Sequence, residues 1–205
     1  MTQEHSTPAP LTGPMMNYSD EFLELAGFDT MGDPERRKLL DHAVNYANAI
    51  ANRATPHSLT MLGSSGIGKT HLAFALYKWA KMKMGPKTIH GINRPMDIAY
   101  LSAAGACDRF LGGEFGLPEL MKKQDFLVLD DIGTERDPRL TFRGEVQAIM
   151  DRRLGMWTVV TSNLSFSQLQ EYDARLASRT IRNGGKVVHS RATDYNLEQI
   201  KNGSR

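Results

Sequence analysis

At 205 residues, 40% hydrophobic and 23% charged, the chain has the size and balance of one ordinary globular domain with short appendages. Its net charge of +2 neither requires nor excludes a polyanionic partner. The single cysteine, Cys107, excludes an internal disulfide, the six histidines lack zinc-ligand spacing, and neither a membrane-length apolar run nor an export signal is present, so a cytoplasmic protein is expected.

Residues 1–14 carry Pro8, Pro10 and Pro14 among Thr, Ser and Gln and have little to bury, which predicts a disordered tail. Residues 1–30 are assigned to this largely disordered tail, with room for a partner-binding segment. Asp33-Pro34 then opens a helix, with a capping residue, proline at the first position and Glu35 in the first turn. Leu39, Leu40, Ala43, Val44, Ala47 and Ile50 give that helix one apolar face. Leu59 to Leu62 read as a strand, and residues 69–84 as a helix with Leu72, Ala73, Leu76 and Ala80 inward. Lys81 and Lys83 suit its negative pole, and Gly85-Pro86 stops it.

Residues 98–101 predict a second strand. Ser102 caps a short helix ending near Leu111, and residues 118–123 form another. Phe126-Leu127-Val128-Leu129 is an uninterrupted apolar run, as a buried parallel strand requires. Residues 138–154 read as a helix, 157–161 as a central strand, 165–182 as one or two helices and 186–189 as a last strand. Residues 191–205 read as a polar C-terminal tail, so the domain proper is 31–190. Strands alternating with helices predict an α/β fold, a parallel sheet covered on both faces.

The segment Gly63-Ser64-Ser65-Gly66-Ile67-Gly68-Lys69-Thr70 matches the phosphate-loop pattern at every fixed position, between a strand and a helix. Glycines let successive N–H groups turn inward, and the helix start adds free N–H groups and a positive dipole end. Lys69 then reaches the outer phosphates, and the Thr70 hydroxyl can hold Mg²⁺. Asp130 and Asp131 end the apolar strand where a parallel sheet opens its ligand crevice. Asp130 is expected on the metal with Thr70, and Asp131 on the attacking water. Asn163, closing Thr161-Ser162-Asn163 at the next strand end, offers a neutral amide to position water beside the γ-phosphate. Arg175 and Arg179, four apart on one helical face, are candidates for an arginine finger supplied to a neighbouring subunit.

These motifs, with Leu-Val-Leu-Asp-Asp-Ile-Gly at 127–133, Thr-Ser-Asn-Leu at 161–164 and Thr-His-Leu-Ala at 70–73, resemble AAA+ ATPases of the DnaC-type helicase-loader and IstB-type transposition-helper group. The similarity runs from about Phe28 to Val188. The resemblance implies a P-loop NTPase with an AAA+ core and no separate lid domain, and ATP rather than GTP as ligand. It implies that Asp130 is the metal-associated acid, Asp131 the catalytic acid, Asn163 the sensor, and Arg175 or Arg179 the trans-acting finger. His71 joins residues 63–70 in the nucleotide site. The resemblance also implies single-stranded DNA binding at the short helices, where Arg109, Phe110, Lys122 and Lys123 lie; Phe110 suits a core position as well. The helicase contact that full-length loaders make through an N-terminal module is expected here to be reduced to a short segment such as residues 18–28, or to be lost; a compact version would suit a phage or mobile-element protein.

The function expected is ATP hydrolysis coupled to single-stranded DNA and to loading of a replicative helicase, with self-association through the finger and no membrane partner. The alternatives are a transposition helper that binds duplex DNA and recruits a transposase, a small-molecule phosphoryl-transfer kinase, and a nucleotide-gated binding module with negligible turnover.

Overall fold

The computed structural model describes residues 18–201; the tail expected at residues 1–14 lies outside the described residues. Helices α1 (Tyr18–Ala26) and α2 (Pro34–Ala51) lead into strand β1 (Ser58–Leu62) and helix α3 (Lys69–Lys83). A hairpin of β2 (Lys87–Ile89) and β3 (Ile92–Arg94) precedes β4 (Ile98–Ser102), α4 (Ala103–Leu111) and α5 (Leu117–Lys123). The rest alternates: β5 (Phe126–Ile132), α6 (Thr141–Arg152), β6 (Trp157–Ser162), α7 (Phe166–Tyr172), α8 (Ala174–Thr180), β7 (Lys186–His189) and α9 (Tyr195–Lys201).

Five strands form one parallel sheet in the order β4-β5-β6-β1-β7. Successive residues of a strand face opposite sides, and the two cores divide accordingly. Phe126, Val128 and Val159 face a layer built on α1, α2 and α3. Leu127, Leu129 and Val160 face a layer built on α4 to α8. The uniform burial of β5 from Phe126 to Asp130 is why its sequence shows no alternation. No described helix is long and apolar enough to cross a membrane.

The β2–β3 hairpin lies in a stretch for which no element was expected, and three helices depart from expectation as well. Helix α1 lies in the segment assigned to the tail, and its Phe22 is fully buried edge-on against Trp79 at 5.8 Å. Helix α9 lies in the segment read as a polar C-terminal tail, capped by Asp194, whose carboxylate accepts from Asn196 N at 2.8 Å. Helix α6 begins at Thr141 rather than 138: Leu140, at its N-cap, is in the left-handed region at φ 56°, and the Asp137 carboxylate accepts from Thr141 N and Arg143 N, both at 3.0 Å.

Candidate functional site

The crevice opens at the C-terminal ends of β1, β5 and β6, where the side chains of Lys69, Thr70, Asp130, Asp131 and Asn163 converge. Lys69 is 5% exposed at the start of α3. Its ammonium donates to Gly63 O at 2.8 Å, Ser64 O at 2.7 Å and Asn163 Oδ1 at 2.7 Å. The other end of the Asn163 amide, Nδ2, donates to Asp131 Oδ1 at 2.6 Å. The amide thus presents its oxygen to the cation and its N–H to the acid, the only orientation that satisfies both. Burial pulls the Lys69 ammonium down to about 8, although Asp131 and Asp130 oppose the shift. Burial, with the neighbouring Asp130 charge, raises Asp131 above the usual carboxylate range.

The two acids point apart because the strand breaks its register between them. The β5–β6 ladder shifts between Leu129 and Ile132, and Asp131 adopts φ 63°, a left-handed conformation that aspartate tolerates better than most residues. Its N–H donates to Thr161 Oγ1 at 2.7 Å, which fixes the kink. Asp130 stays inside, 4% exposed. It accepts from Thr70 Oγ1 at 3.2 Å, Thr161 Oγ1 at 2.5 Å and Tyr100 OH at 2.6 Å. Asp131 turns outward onto an open cavity of about 620 Å³ that Lys69, Thr70, His71, Phe74 and Tyr100 also line. A hydroxyl beside one carboxylate, both hard oxygen donors, fits Mg²⁺ held largely by phosphate and water.

A second layer covers the loop. Ser64 Oγ donates to Ala192 O at 3.1 Å and Tyr195 N to Gly66 O at 3.0 Å. Arg36, fully buried, fastens this C-terminal strap by donating to Glu198 Oε2 at 2.7 Å and Thr193 O at 2.8 Å. The approach explains two glycines. A Cβ on Gly66 (φ +75°) would lie 2.0 Å from an Asp194 carboxylate oxygen, and one on Gly68 (φ +98°) 2.2 Å from the Phe28 ring. A smaller cavity of about 200 Å³ lies between Phe28, Asp29, Gly66, His71, Tyr195 and Asn196.

Most of the expected nucleotide residues therefore meet around the loop. Ile67 is the exception in kind: its side chain is 1% exposed in the core, leaving its backbone for a ligand. His71 packs on Phe28 at 5.9 Å, and its Nε2 meets Ala26 O. Arg175 is exposed on α8, whereas Arg179 pairs with Asp151 of α6. The expected DNA-contact group does not present itself as a stacking surface. Phe110 is 7% exposed and packs on Phe142, because it falls on the inward face of α4. Arg109 is paired bidentately with Glu114, and Lys122 with Glu119 and Glu145; Lys123 alone of the four is an exposed cation without such a pair. Tyr100 and the strap residues were not anticipated: a strand tyrosine reads as β propensity, and the strap's contacts span more than a hundred residues.

The fold has clear counterparts. A DNA replication initiation factor matches with TM-score 0.63 and 21% identity over 87% of this chain and 53% of that one. AMPPCP-bound DnaA from Aquifex aeolicus matches with TM-score 0.57 and 23% identity, over the same two shares. The chain spans about half the length of these initiators. The DnaC helicase loader matches with TM-score 0.59 and 20% identity over 83% of this chain and 99% of that one. No curated protein sequence matches. The model of the IstB-like ATP binding protein family matches residues 36–182, from the strap's anchor to the end of the α8 region. The chain belongs to that family, with the parallel α/β core of P-loop AAA+ proteins.

Proposed function

We propose that this chain hydrolyses ATP, engages single-stranded DNA and loads a replicative helicase in the cytoplasm of a bacterial or phage-infected cell. The observation that carries the ATPase reading is the relay Lys69–Asn163–Asp131, in which one amide joins the buried cation to the outward acid. An arriving γ-phosphate takes the Lys69 ammonium from the loop carbonyls and from Asn163. Freed on one side, the amide can report the phosphate to Asp131, whose raised basicity suits it to accept a proton from the attacking water. Thr70 and Asp130 would hold Mg²⁺, which supplies charge neutralisation to the phosphates when bound. The base enters the smaller cavity, between Phe28, His71 and Tyr195. A second copy supplies the finger; Arg175 is the better placed, because Arg179 is spent on Asp151. The near-complete coverage of the DnaC loader chain supports the partner assignment.

The test is ATP hydrolysis with and without single-stranded DNA, for the parent and Asp131→Asn, alongside co-purification with a replicative helicase. The reading expects DNA-enhanced hydrolysis, a stable helicase complex, and at least a ~100-fold loss in the variant with nucleotide binding retained. No turnover in the parent even with DNA would leave a nucleotide-gated module, and ADP formed only with a small-molecule acceptor would indicate a kinase. The family match favours a second reading, a transposition helper. Binding to duplex DNA and a transposase, without a helicase complex, selects it.

A further inference from the structure

The charge of +2 conceals a strong asymmetry: every one of the 23 acidic residues lies outside residues 42–96. That acid-free segment contains α3 and the β2–β3 hairpin. Phe74, Tyr77, Lys78 and Lys81 recur at the spacing of one helical face and form the outer stripe of α3. Phe74 is 43% exposed and stacks on Tyr77 at 5.9 Å, with their planes only 27° apart. The Lys78 ammonium sits 4.8 Å from the Phe74 ring centre and that of Lys81 5.2 Å from Tyr77. Tyr100 closes the stack from β4, edge-on to Phe74 at 5.6 Å.

Beyond Lys81 the stripe runs into an open groove of about 490 Å³ between the end of α3 and the hairpin, where Arg94 joins it. Lys87 is spent on Asp97 and Asp125 and ties the hairpin to the sheet. Among the described residues no carboxylate pairs with Lys78, Lys81 or Arg94. An exposed Phe74 ring stacked on a half-buried Tyr77 ring, with unneutralised cations beside them, matches what a single strand offers, bases to stack and phosphates to pair. A protein partner would need apolar area without so uniform a charge.

We propose that the outer face of α3 and the groove beside the β2–β3 hairpin form a track for single-stranded nucleic acid, with bases on Phe74 and Tyr77 and phosphates on Lys78, Lys81 and Arg94. The proposal rests on the reading above that a single strand is a partner. It moves the contact from α4–α5 to a different surface, and the seven residue steps from Phe74 to Lys81 give it about 10 Å of helix.

Binding of a labelled oligothymidylate is measured by fluorescence anisotropy across a salt series, with the full chain. Lys81→Gln/Arg94→Gln is expected to weaken binding at least tenfold and to make the salt slope shallower by about 1.4, for two phosphate contacts on a single strand. Tyr77→Leu, which keeps the apolar bulk, is expected to weaken it about tenfold through lost stacking. Arg109→Gln/Lys123→Gln on the α4–α5 surface is expected to change it less than twofold. A misfolded fraction lowers the active concentration without altering the slope, so the slope separates lost contacts from lost fold. If the parent binds and the α3 and hairpin variants keep both affinity and slope, the track is wrong while the DNA reading stands. No single-strand binding by the parent overturns both, and tighter binding of duplex of equal length overturns the single-strand assignment.

Discussion

Each end of the sheet buries a cation against main-chain carbonyls, and only one of them builds a site. At the C-terminal ends Lys69 is 5% exposed; at the N-terminal ends Arg153 is 2% exposed. Arg153 donates to Met121 O at 3.1 Å, Gln124 O at 2.6 Å, Trp157 O at 2.6 Å and Thr158 Oγ1 at 3.0 Å, so four of its five N–H donors are used. Burial lowers it to about 10, as burial lowers Lys69 to about 8. The difference lies in what faces each group. Rings of Tyr46, His57 and Trp157 close the N-terminal end, their centres 5.1 to 5.3 Å apart. Lys69 instead faces two carboxylates and an open cavity. Burial of a charge marks a constraint; exchangeable partners beside open space mark chemistry.

Removing each cation breaks the comparison in opposite directions. Arg153→Met leaves three carbonyls without their donor and is expected to destabilise the fold by about 3 kcal/mol, read as a lower urea midpoint. Nucleotide affinity of the folded fraction should stay within about twofold. Lys69→Ala should do the reverse: a fall of at least ~100-fold in nucleotide affinity, about 3 kcal/mol, with apo stability changed by about 1 kcal/mol or less. The apo fold loses little because burial already disfavours this ammonium. A comparable loss of apo stability in both variants would show that both cations are structural.

The same contrast explains what could be read from the chain. The phosphate loop, the Asp130-Asp131 strand end and Asn163 are contiguous and sit on strong strand and helix patterns, so local chemistry fixes their positions. Apolar runs also placed the five strands of the parallel sheet, most plainly β5, which is buried on both faces. The strap was not legible. Gly66 and Gly68 announce a close approach, but nothing local says that Asp194 and Phe28 are what approaches. The resemblance likewise implied a DNA surface at Arg109, Phe110, Lys122 and Lys123, but it does not carry side-chain direction: Phe110 points inward, Arg109 and Lys122 meet acids one turn or so away, and Lys123 is exposed. The acid-free segment was countable from the start, and only the α3 stripe gives it a face.

Titration sharpens the contrast further. A free lysine has a pKa of 10.5 and folded Lys69 about 8, so between these values the unfolded chain holds the extra proton and apo stability rises with pH. A bound triphosphate favours the ammonium and reverses the shift. Binding above pH 8 therefore takes up one proton, and affinity should fall about tenfold per pH unit. Calorimetry in buffers of different ionisation enthalpy measures the uptake directly. A flat affinity from pH 8 to 9.5 would mean that Lys69 is charged throughout and that its burial in the apo fold is relieved by water.

The smallest effect belongs to the strap. The Asp194 carboxylate lies against Gly66, so a fixed negative charge sits beside the loop that must receive phosphates. Its local duty is to cap α9, accepting from Asn196 N and Leu197 N, a task asparagine performs nearly as well. Asp194→Asn therefore removes the charge and keeps the cap. In a solvent-accessible crevice a unit charge a few ångströms away is worth somewhat under 1 kcal/mol, so triphosphate affinity should rise about threefold. The gain should be larger for triphosphate than for diphosphate and should shrink with salt, because it is purely coulombic. A gain equal for triphosphate, diphosphate and nucleoside would instead mean that the substitution loosens the strap over the base cavity, making Asp194 a latch rather than a charge filter.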